Sequence, residues 1–221
     1  LKQAEVGIAM GKKGTEAAKE VAEMVLADDN FVSIRHAIKE GRTVYDNLKR
    51  SILYILPTSF GESCIVILAV LLGRTLPITP VQILWVNMIT AVTFSIALGF
   101  EKAEDNVMMR PPRHRHEPIL SKLLIWRIFF VSALMVACGF GLYVYERSLG
   151  TDLATARTVV VNMLVVSEAA YLFNCRKLYH SAFRWETFFG SRPVLIAIVV
   201  VAFFQAAFTY LPSMDYFFGV Y

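Results

Sequence analysis

The chain alternates long apolar stretches with short polar segments. Each stretch approaches the length of about 20 residues that an α-helix needs to cross a bilayer. The stretches lie at about 51–72, 81–100, 124–145, 158–173 with short flanks, and 193–211. Since only helices and closed barrels satisfy their backbone groups inside lipid, this pattern predicts a mainly α membrane protein with five transmembrane helices.

The first 30 residues have a different pattern. Two short apolar runs, at 6–10 and 24–27, flank a predicted helix at 15–22 with Thr15 as its N-cap. Strand, helix and strand at this spacing predict the end of an α/β domain with a parallel sheet. Because two short strands and one helix bury too little apolar surface for a core, we expect the rest of that domain to precede Leu1.

From Phe31 to Gly73 the pattern is helical throughout. One helix over this range would be about 65 Å long, roughly twice the thickness of the hydrocarbon core. Its polar half, residues 31–50, therefore predicts a stalk outside the membrane. We expect this stalk to continue directly into the first span.

Composition and charge narrow the class of protein. The chain is 56% apolar and only 18% charged, and its mean hydropathy is +0.53, which excludes an ordinary soluble domain. Three scattered cysteines exclude a disulfide framework or a zinc module. The net charge of +4 does not indicate a nucleic-acid partner, because the basic residues flank the spans. They are concentrated in the loops after the second and fourth spans, so the N-terminal segment and the stalk are predicted to be cytoplasmic.

Glu62 lies near the middle of the first apolar stretch. An ionised carboxylate there costs about 2.5 kcal/mol or more unless it is paired, hydrated or neutralised. Ser59 projects from the same helix face. Pro57 has no N–H, so it should loosen the helix and leave the Leu53 carbonyl free near the carboxylate. Such oxygens are the ligands that a hard cation prefers. The alternative is a protonated Glu62 hydrogen-bonded to a neighbouring helix.

Other polar residues interrupt the second and fourth apolar stretches. Asn87 and Thr90 lie one turn apart and share a helix face. Glu168, with Asn162 near it, is a second intramembrane acid. Interhelical hydrogen bonding is the alternative role for all of them. Together with Glu62, however, they indicate a cation site.

Several segments resemble parts of P-type ATPases. Leu56–Glu62 is similar to the fifth transmembrane helix of that family, and Thr79–Asn87 is similar to the sixth. Further similar segments are Val6–Gly11, Gly14–Lys19, Val25–Phe31, Ala97–Glu101 and Met109–Arg113. The resemblance covers residues 1–123, whereas the last hundred residues match mainly in span spacing and in Glu168. The subclass resembled is that of calcium and sodium/potassium pumps.

This resemblance implies a domain organisation and a reaction cycle. Residues 1–30 would end a HAD-like phosphorylation domain, 31–50 would form the stalk, and 51–221 would hold helices five to nine of ten. In such pumps ATP phosphorylates an aspartate, and the stalk carries the change to the cation sites. The Asp-Lys-Thr-Gly-Thr motif of that aspartate is absent from this sequence. ATP and Mg²⁺ would therefore be bound by other parts of the pump, and this chain alone should be inactive.

The resemblance also assigns the cation ligands. Residues that match ligand positions of the family are Glu62, Asn87, Thr90, Glu168 as an auxiliary ligand, and Ser59, whose position is often Asn in calcium pumps. Ala91 stands where these pumps have an aspartate. Loss of that carboxylate removes a charge and ligand oxygens. Calcium is the leading ion, but a single divalent site or another cation fits the residues as well as two calcium sites.

The residues alone are also compatible with two other functions. One is a non-catalytic membrane module with a structural or regulatory role, in which the acids only hold helices together. The other is a secondary carrier that uses Glu62 and Glu168 as a proton relay, although a carrier would not need the strand–helix–strand segment or the stalk. The partners expected of a pump are the lipid bilayer, the transported cation and the remaining domains of the protein.

Overall fold

The computed structural model describes residues 1–113, 118–176 and 190–219, and most of them are helical. Residues 114–117 and 177–189, which carry part of the basic charge of the two predicted cytoplasmic loops, fall outside these ranges. The chain divides into two compact units. One comprises Leu1–Tyr45 and Lys102–Pro112, and the other comprises Asp46–Glu101 and Arg113–Tyr221.

The smaller unit contains a two-stranded parallel sheet. Strands β1 (Ile8–Met10) and β2 (Met24–Leu26) are connected through helix α1 (Glu16–Glu20), with Ala9 opposite Val25. The hydroxyl of Thr15 accepts a hydrogen bond from the Ala18 N–H at 3.3 Å, which caps the helix. The strand–helix–strand order is the one the sequence predicts, although α1 is shorter than expected.

The turn after β1 is closed onto the end of β2. The Asp29 carboxylate accepts hydrogen bonds from the backbone N–H groups of Lys12 at 2.8 Å and Lys13 at 2.9 Å. These bonds, that of Lys12 first, stabilise the ionised form and lower the pKa of Asp29. A Cβ at Gly14 would lie 2.0 Å from the Met10 carbonyl oxygen, so this turn requires glycine.

The larger unit is a bundle of apolar helices. Its first helix, α2 (Phe31–Leu71), is one uninterrupted helix that contributes its residues from Asp46 onward to this unit. The other helices are α3 (Pro80–Val86), a π-helical segment (Asn87–Ala91), α4 (Val92–Gly99), α5 (Lys122–Ser148), α6 (Leu153–Cys175), α7 (Arg192–Tyr210) and α8 (Pro212–Phe218). Among the described residues, five helical segments are long and apolar enough to cross a membrane: Phe31–Leu71, Pro80–Gly99, Lys122–Ser148, Leu153–Cys175 and Arg192–Tyr210. The prediction of five spans is confirmed.

Capping residues define where several spans begin. Thr79 and Gln82 form a reciprocal capping box at the start of α3, with Pro80 in the first turn. The Asp152 carboxylate caps α6 by accepting from the Thr155 N–H at 3.0 Å. Hydrogen bonds from Thr155, that of its hydroxyl first, lower the pKa of Asp152. These caps satisfy backbone donors that the helices leave free at their N-termini.

Close packing brings α2, α5 and α6 together around the middle of the bundle. An added Cβ at Gly139 of α5 would lie 2.9 Å from both the Ile65 Cδ1 atom of α2 and the Met163 Cε atom of α6. Glycine therefore allows the three helices to approach one another here, as small residues commonly do between transmembrane helices. The buried core of the bundle includes Leu53, Tyr54, Phe94, Val161, Leu164 and Leu172.

Candidate cation site

Glu62 is the buried acid of α2. The residue is only 2% exposed, and its Oε2 atom accepts a hydrogen bond from Asn87 Nδ2 at 2.7 Å. The other oxygen, Oε1, is buried and accepts no hydrogen bond within the described part of the chain. A buried oxygen without a donor is uncommon in proteins and calls for an explanation such as a bound ion or proton.

Asn87 begins the π-helical segment of the second span. Its side-chain amide nitrogen donates to the Ile83 carbonyl at 3.1 Å as well as to Glu62. Its backbone carbonyl accepts a hydrogen bond from the Val92 N–H. The bond from Val92 spans five residues instead of four, so the helix is widened at this point. Such single π turns occur frequently at functional sites.

Glu168 of α6 completes a set of polar groups from three spans. It is 2% exposed, and its Oε2 atom accepts from the Tyr54 hydroxyl at 3.2 Å. Its carboxyl group also interacts with the carboxyl of Glu62 and with the hydroxyl of Thr90. Thr90 is fully buried, and its hydroxyl donates to the Val86 carbonyl at 2.8 Å. The structure therefore brings Glu62, Asn87, Thr90 and Glu168 together.

Ser59 is not part of this hydrogen-bonded set. It is half-buried, and in the residues that the structure describes its hydroxyl forms no hydrogen bond with Glu62, Asn87, Thr90 or Glu168. Its carbonyl accepts from the Ser63 hydroxyl at 2.8 Å. Sharing a helix face with Glu62 thus does not by itself bring the serine hydroxyl to the carboxyl.

The prediction that Pro57 leaves a free carbonyl oxygen near Glu62 is wrong. Helix α2 continues through Pro57, and the Leu53 carbonyl that lacks its helical donor accepts instead from the Tyr171 hydroxyl at 2.9 Å. Leu53 precedes Glu62 by nine residues, which is about 13 Å along a helix. That carbonyl oxygen is therefore neither free nor close to the carboxyl group.

Sequence reasoning missed Tyr54 as a neighbour of the site. It is fully buried, its hydroxyl reaches Glu168, and its ring stacks on that of Tyr171 with centroids 6.2 Å apart. A tyrosine in an apolar stretch looks like core or interface filling. The available signal is that a phenol buried in a membrane span needs a hydrogen-bond partner, and an acid of another span is a suitable one.

Two carboxyl groups at short range in a low-dielectric interior repel each other when both are ionised. In the described ranges, neither acid forms an ion pair with a lysine or arginine. No group of three His, Cys, Asp or Glu side chains able to hold a metal is found among those residues either. A cation here would neutralise both acids and complete its coordination with oxygens of neutral groups such as Asn87 and Thr90.

These features are those of a helical membrane domain with a candidate cation site, and comparison with known proteins gives its family. Residues 75–221 match the family model described as cation transporting ATPase, C-terminus. The chain belongs to this family of P-type ATPases and corresponds to their C-terminal region.

Individual relatives are similar over most of this chain. It is 45% identical to the probable cation-transporting ATPase F of Mycobacterium tuberculosis over 215 residues, which are 97% of this chain and 24% of that protein. It is 40% identical to the cation-transporting ATPase pma1 of Synechocystis, over 97% of this chain and 24% of that protein. It is also 40% identical to a calcium-transporting ATPase of Bacillus subtilis, over 80% of this chain and 20% of that protein. The chain thus spans about a quarter of the length of the relatives it matches.

Proposed function

We propose that this chain forms the C-terminal part of the transport domain of an ATP-driven cation pump, in which Glu62, Asn87, Thr90 and Glu168 bind the transported cation. The observation that carries the proposal is the meeting of two buried carboxyl groups from α2 and α6, with one oxygen of Glu62 that has no donor among the described residues. Keeping two acids that form no ion pair among the described residues inside a membrane domain is costly, and such acids commonly mark ion pathways.

Calcium is the leading ion in this proposal. Carboxylate, amide and hydroxyl oxygens are the hard ligands that Ca²⁺ prefers, and some of the similar proteins are named calcium-transporting ATPases. Ala91, at the end of the π-helical segment, supplies no carboxylate. A single divalent site is therefore as compatible with the chain as two sites, and Ser59 would be an outer ligand at most.

The remaining parts of the proposed pump cycle are inferred from the family resemblance. The strand–helix–strand segment at 1–30 would end a cytoplasmic HAD-like phosphorylation domain, and residues 31–50 would form the stalk. ATP and Mg²⁺ would be bound by the remaining domains, which would phosphorylate an aspartate outside this chain. Helix α2 is continuous from Phe31 to Leu71 and carries Glu62, so it is suited to transmit a change along its axis to the site.

The direct test is Glu62→Gln in the complete pump. The substitution keeps the shape of the side chain but removes a charge and one anionic ligand oxygen. We expect the Ca²⁺ concentration that gives half-maximal ATPase activation to rise about tenfold or more, which corresponds to at least about 1.4 kcal/mol. Activation is measured in reconstituted vesicles over a series of free Ca²⁺ concentrations.

A matched control is Asp215→Asn, which makes the same carboxylate-to-amide change on the exposed surface of α8. It should leave the activation curve unchanged. Wild-type ion affinity in the Glu62→Gln pump would show that the site assignment is wrong. A panel of Mg²⁺, Mn²⁺, Na⁺ and K⁺ in the same assay identifies the ion if Ca²⁺ does not activate.

A further inference from the structure

Pro57 creates a deficit of one hydrogen bond in the middle of a membrane span. Because proline has no N–H, the Leu53 carbonyl has no donor within α2. Inside a bilayer such a carbonyl must find another partner, since water is not available. The partner is the hydroxyl of Tyr171 from α6, at 2.9 Å from the Leu53 oxygen.

A second tyrosine makes the reciprocal connection. Tyr54 follows Leu53 on α2, and its hydroxyl donates to Oε2 of Glu168 on α6 at 3.2 Å. Glu168 in turn precedes Tyr171 by three residues, so the two α6 groups lie on one face. The rings of Tyr54 and Tyr171 stack with an interplanar angle of 21°. Each helix thus donates one phenol to an acceptor on the other.

We propose that Tyr54 and Tyr171 form a tyrosine clasp, in which Tyr171 replaces the donor that Pro57 lacks and thereby positions Tyr54 and Glu168 for cation binding. The clasp rests on the proposed function for its link to the cation. Tyr171 is a positioning residue in this proposal, because it acts on the site through Tyr54 and the backbone of α2.

The surrounding contacts fix the clasp on both helices. The Thr58 hydroxyl donates to the carbonyls of Tyr54 at 3.1 Å and Ile55 at 3.0 Å, and Ser132 of α5 donates to the Pro57 carbonyl at 2.7 Å. The guanidinium of Arg127, a residue of α5, lies over the ring of Tyr171 on α6, 5.3 Å from its centroid. The proline-containing turn therefore has partners for its carbonyls, and the Leu53 partner is the one supplied by α6.

The alternative role for Tyr171 is packing alone, and the stacking of its ring on that of Tyr54 supports this alternative. The two roles differ in what the hydroxyl does. If only packing matters, Tyr171→Phe keeps the ring and changes little. If the hydroxyl replaces the missing donor, its loss should matter only while proline occupies position 57.

The experiment is a double-mutant cycle of Tyr171→Phe and Pro57→Ala in the complete pump. We expect Tyr171→Phe to raise the Ca²⁺ concentration for half-maximal activation about three- to tenfold while maximal ATPase activity stays within about twofold, because ground-state ion binding is altered. In the double variant the alanine N–H can donate to Leu53. Its activation should then return to within about twofold of Pro57→Ala alone.

Tyr143→Phe is the matched control. Tyr143 is a buried tyrosine of α5 whose hydroxyl is hydrogen-bonded to Thr75, away from the site. Its loss should leave the Ca²⁺ dependence unchanged. If Tyr171→Phe lowers yield instead, thermal unfolding of the same four proteins gives the answer. A larger loss of stability from Tyr171→Phe in the wild type than in the Pro57→Ala background supports the clasp, and equal losses overturn it.

Two results would overturn the clasp while leaving the pump assignment intact. One is a Tyr171→Phe pump that responds to Ca²⁺ as the wild type does. The other is a double variant as impaired as Tyr171→Phe. A wild-type pump that shows no cation-stimulated ATPase activity would contradict the proposed function instead, and the unfolding measurements would then decide for or against the Tyr171–Leu53 hydrogen bond.

Discussion

Two of the polar clusters among the apolar helices of the larger unit differ in an instructive way. The first is the candidate cation site with Glu62 and Glu168. The second, the amide cluster, consists of Trp85, Asn162, Gln205 and Thr209. In it, Gln205 Nε2 donates to Asn162 Oδ1 at 2.7 Å, Thr209 donates to the same oxygen at 3.0 Å, and Trp85 Nε1 donates to Gln205 Oε1 at 3.4 Å.

The clusters differ in charge and in how fully their groups are paired. The amide cluster is neutral, and its side chains satisfy one another across three helices, which is how polar residues hold transmembrane helices together. The candidate site contains two carboxyl groups, and one of their oxygens has no donor in the part of the chain that the structure describes. Polarity inside a membrane domain is therefore not sufficient to indicate a site; buried ionisable groups with unsatisfied oxygens are the better indicator.

Glu168→Gln should have the largest effect on Ca²⁺ activation among the substitutions that compare the two clusters. Removing the second carboxylate should raise the Ca²⁺ concentration for half-maximal activation about tenfold, because divalent affinity depends on the charge of the ligands. The glutamine can still accept from Tyr54, so stability should change little. Calcium-dependent ATPase activity and thermal unfolding, measured on the same preparation, separate the two effects. Unchanged activation would remove Glu168 from the site.

Gln205→Met should give the opposite pattern. Methionine keeps most of the side-chain volume but deprives Asn162 of a donor and Trp85 of an acceptor. We expect a loss of about 1 kcal/mol in stability, the scale of interhelical hydrogen bonds in membranes, with Ca²⁺ activation within about twofold of wild type. A large loss of ion affinity in this variant would mean that the amide cluster also contributes to the site.

The smallest effect is expected for Trp85→Phe. The substitution removes one hydrogen bond of 3.4 Å, while a phenyl ring can still stack on Phe208, whose centroid lies 5.4 Å from that of Trp85. Stability should fall by about 0.5 kcal/mol, and ion activation should not change. Thermal unfolding in detergent tests this. A loss as large as that of Gln205→Met would show that the indole N–H has a greater role than its long bond suggests.

The spans were predictable from sequence because lipid leaves the backbone few alternatives. An apolar stretch must be helical to satisfy its N–H and C=O groups, so length and hydropathy were sufficient. Glu62, Asn87, Thr90 and Glu168 were predictable as candidates for a related reason. Each is costly in a bilayer, and this cost can be read without knowing the neighbours.

The partners of these residues were not predictable, because they depend on how each helix is rotated and packed. Asn162 precedes Glu168 on α6, but its side chain bonds to α7. A separation of six residues places it about 240° around the helix from the acid. The link from Tyr171 to Leu53 likewise required knowing which helix faces the proline-containing turn.

The π turn at Asn87–Ala91 has a consequence for any helical wheel drawn through the second span. A π turn contains one residue more than an α turn, so residues after Ala91 are offset by about 100° from the positions that an uninterrupted α-helix would give them. The sets of positions that face the neighbouring helices therefore follow a different register before and after the π turn. Deletion of a single residue within this segment would restore an ordinary helix and turn one half of the span away from its present contacts.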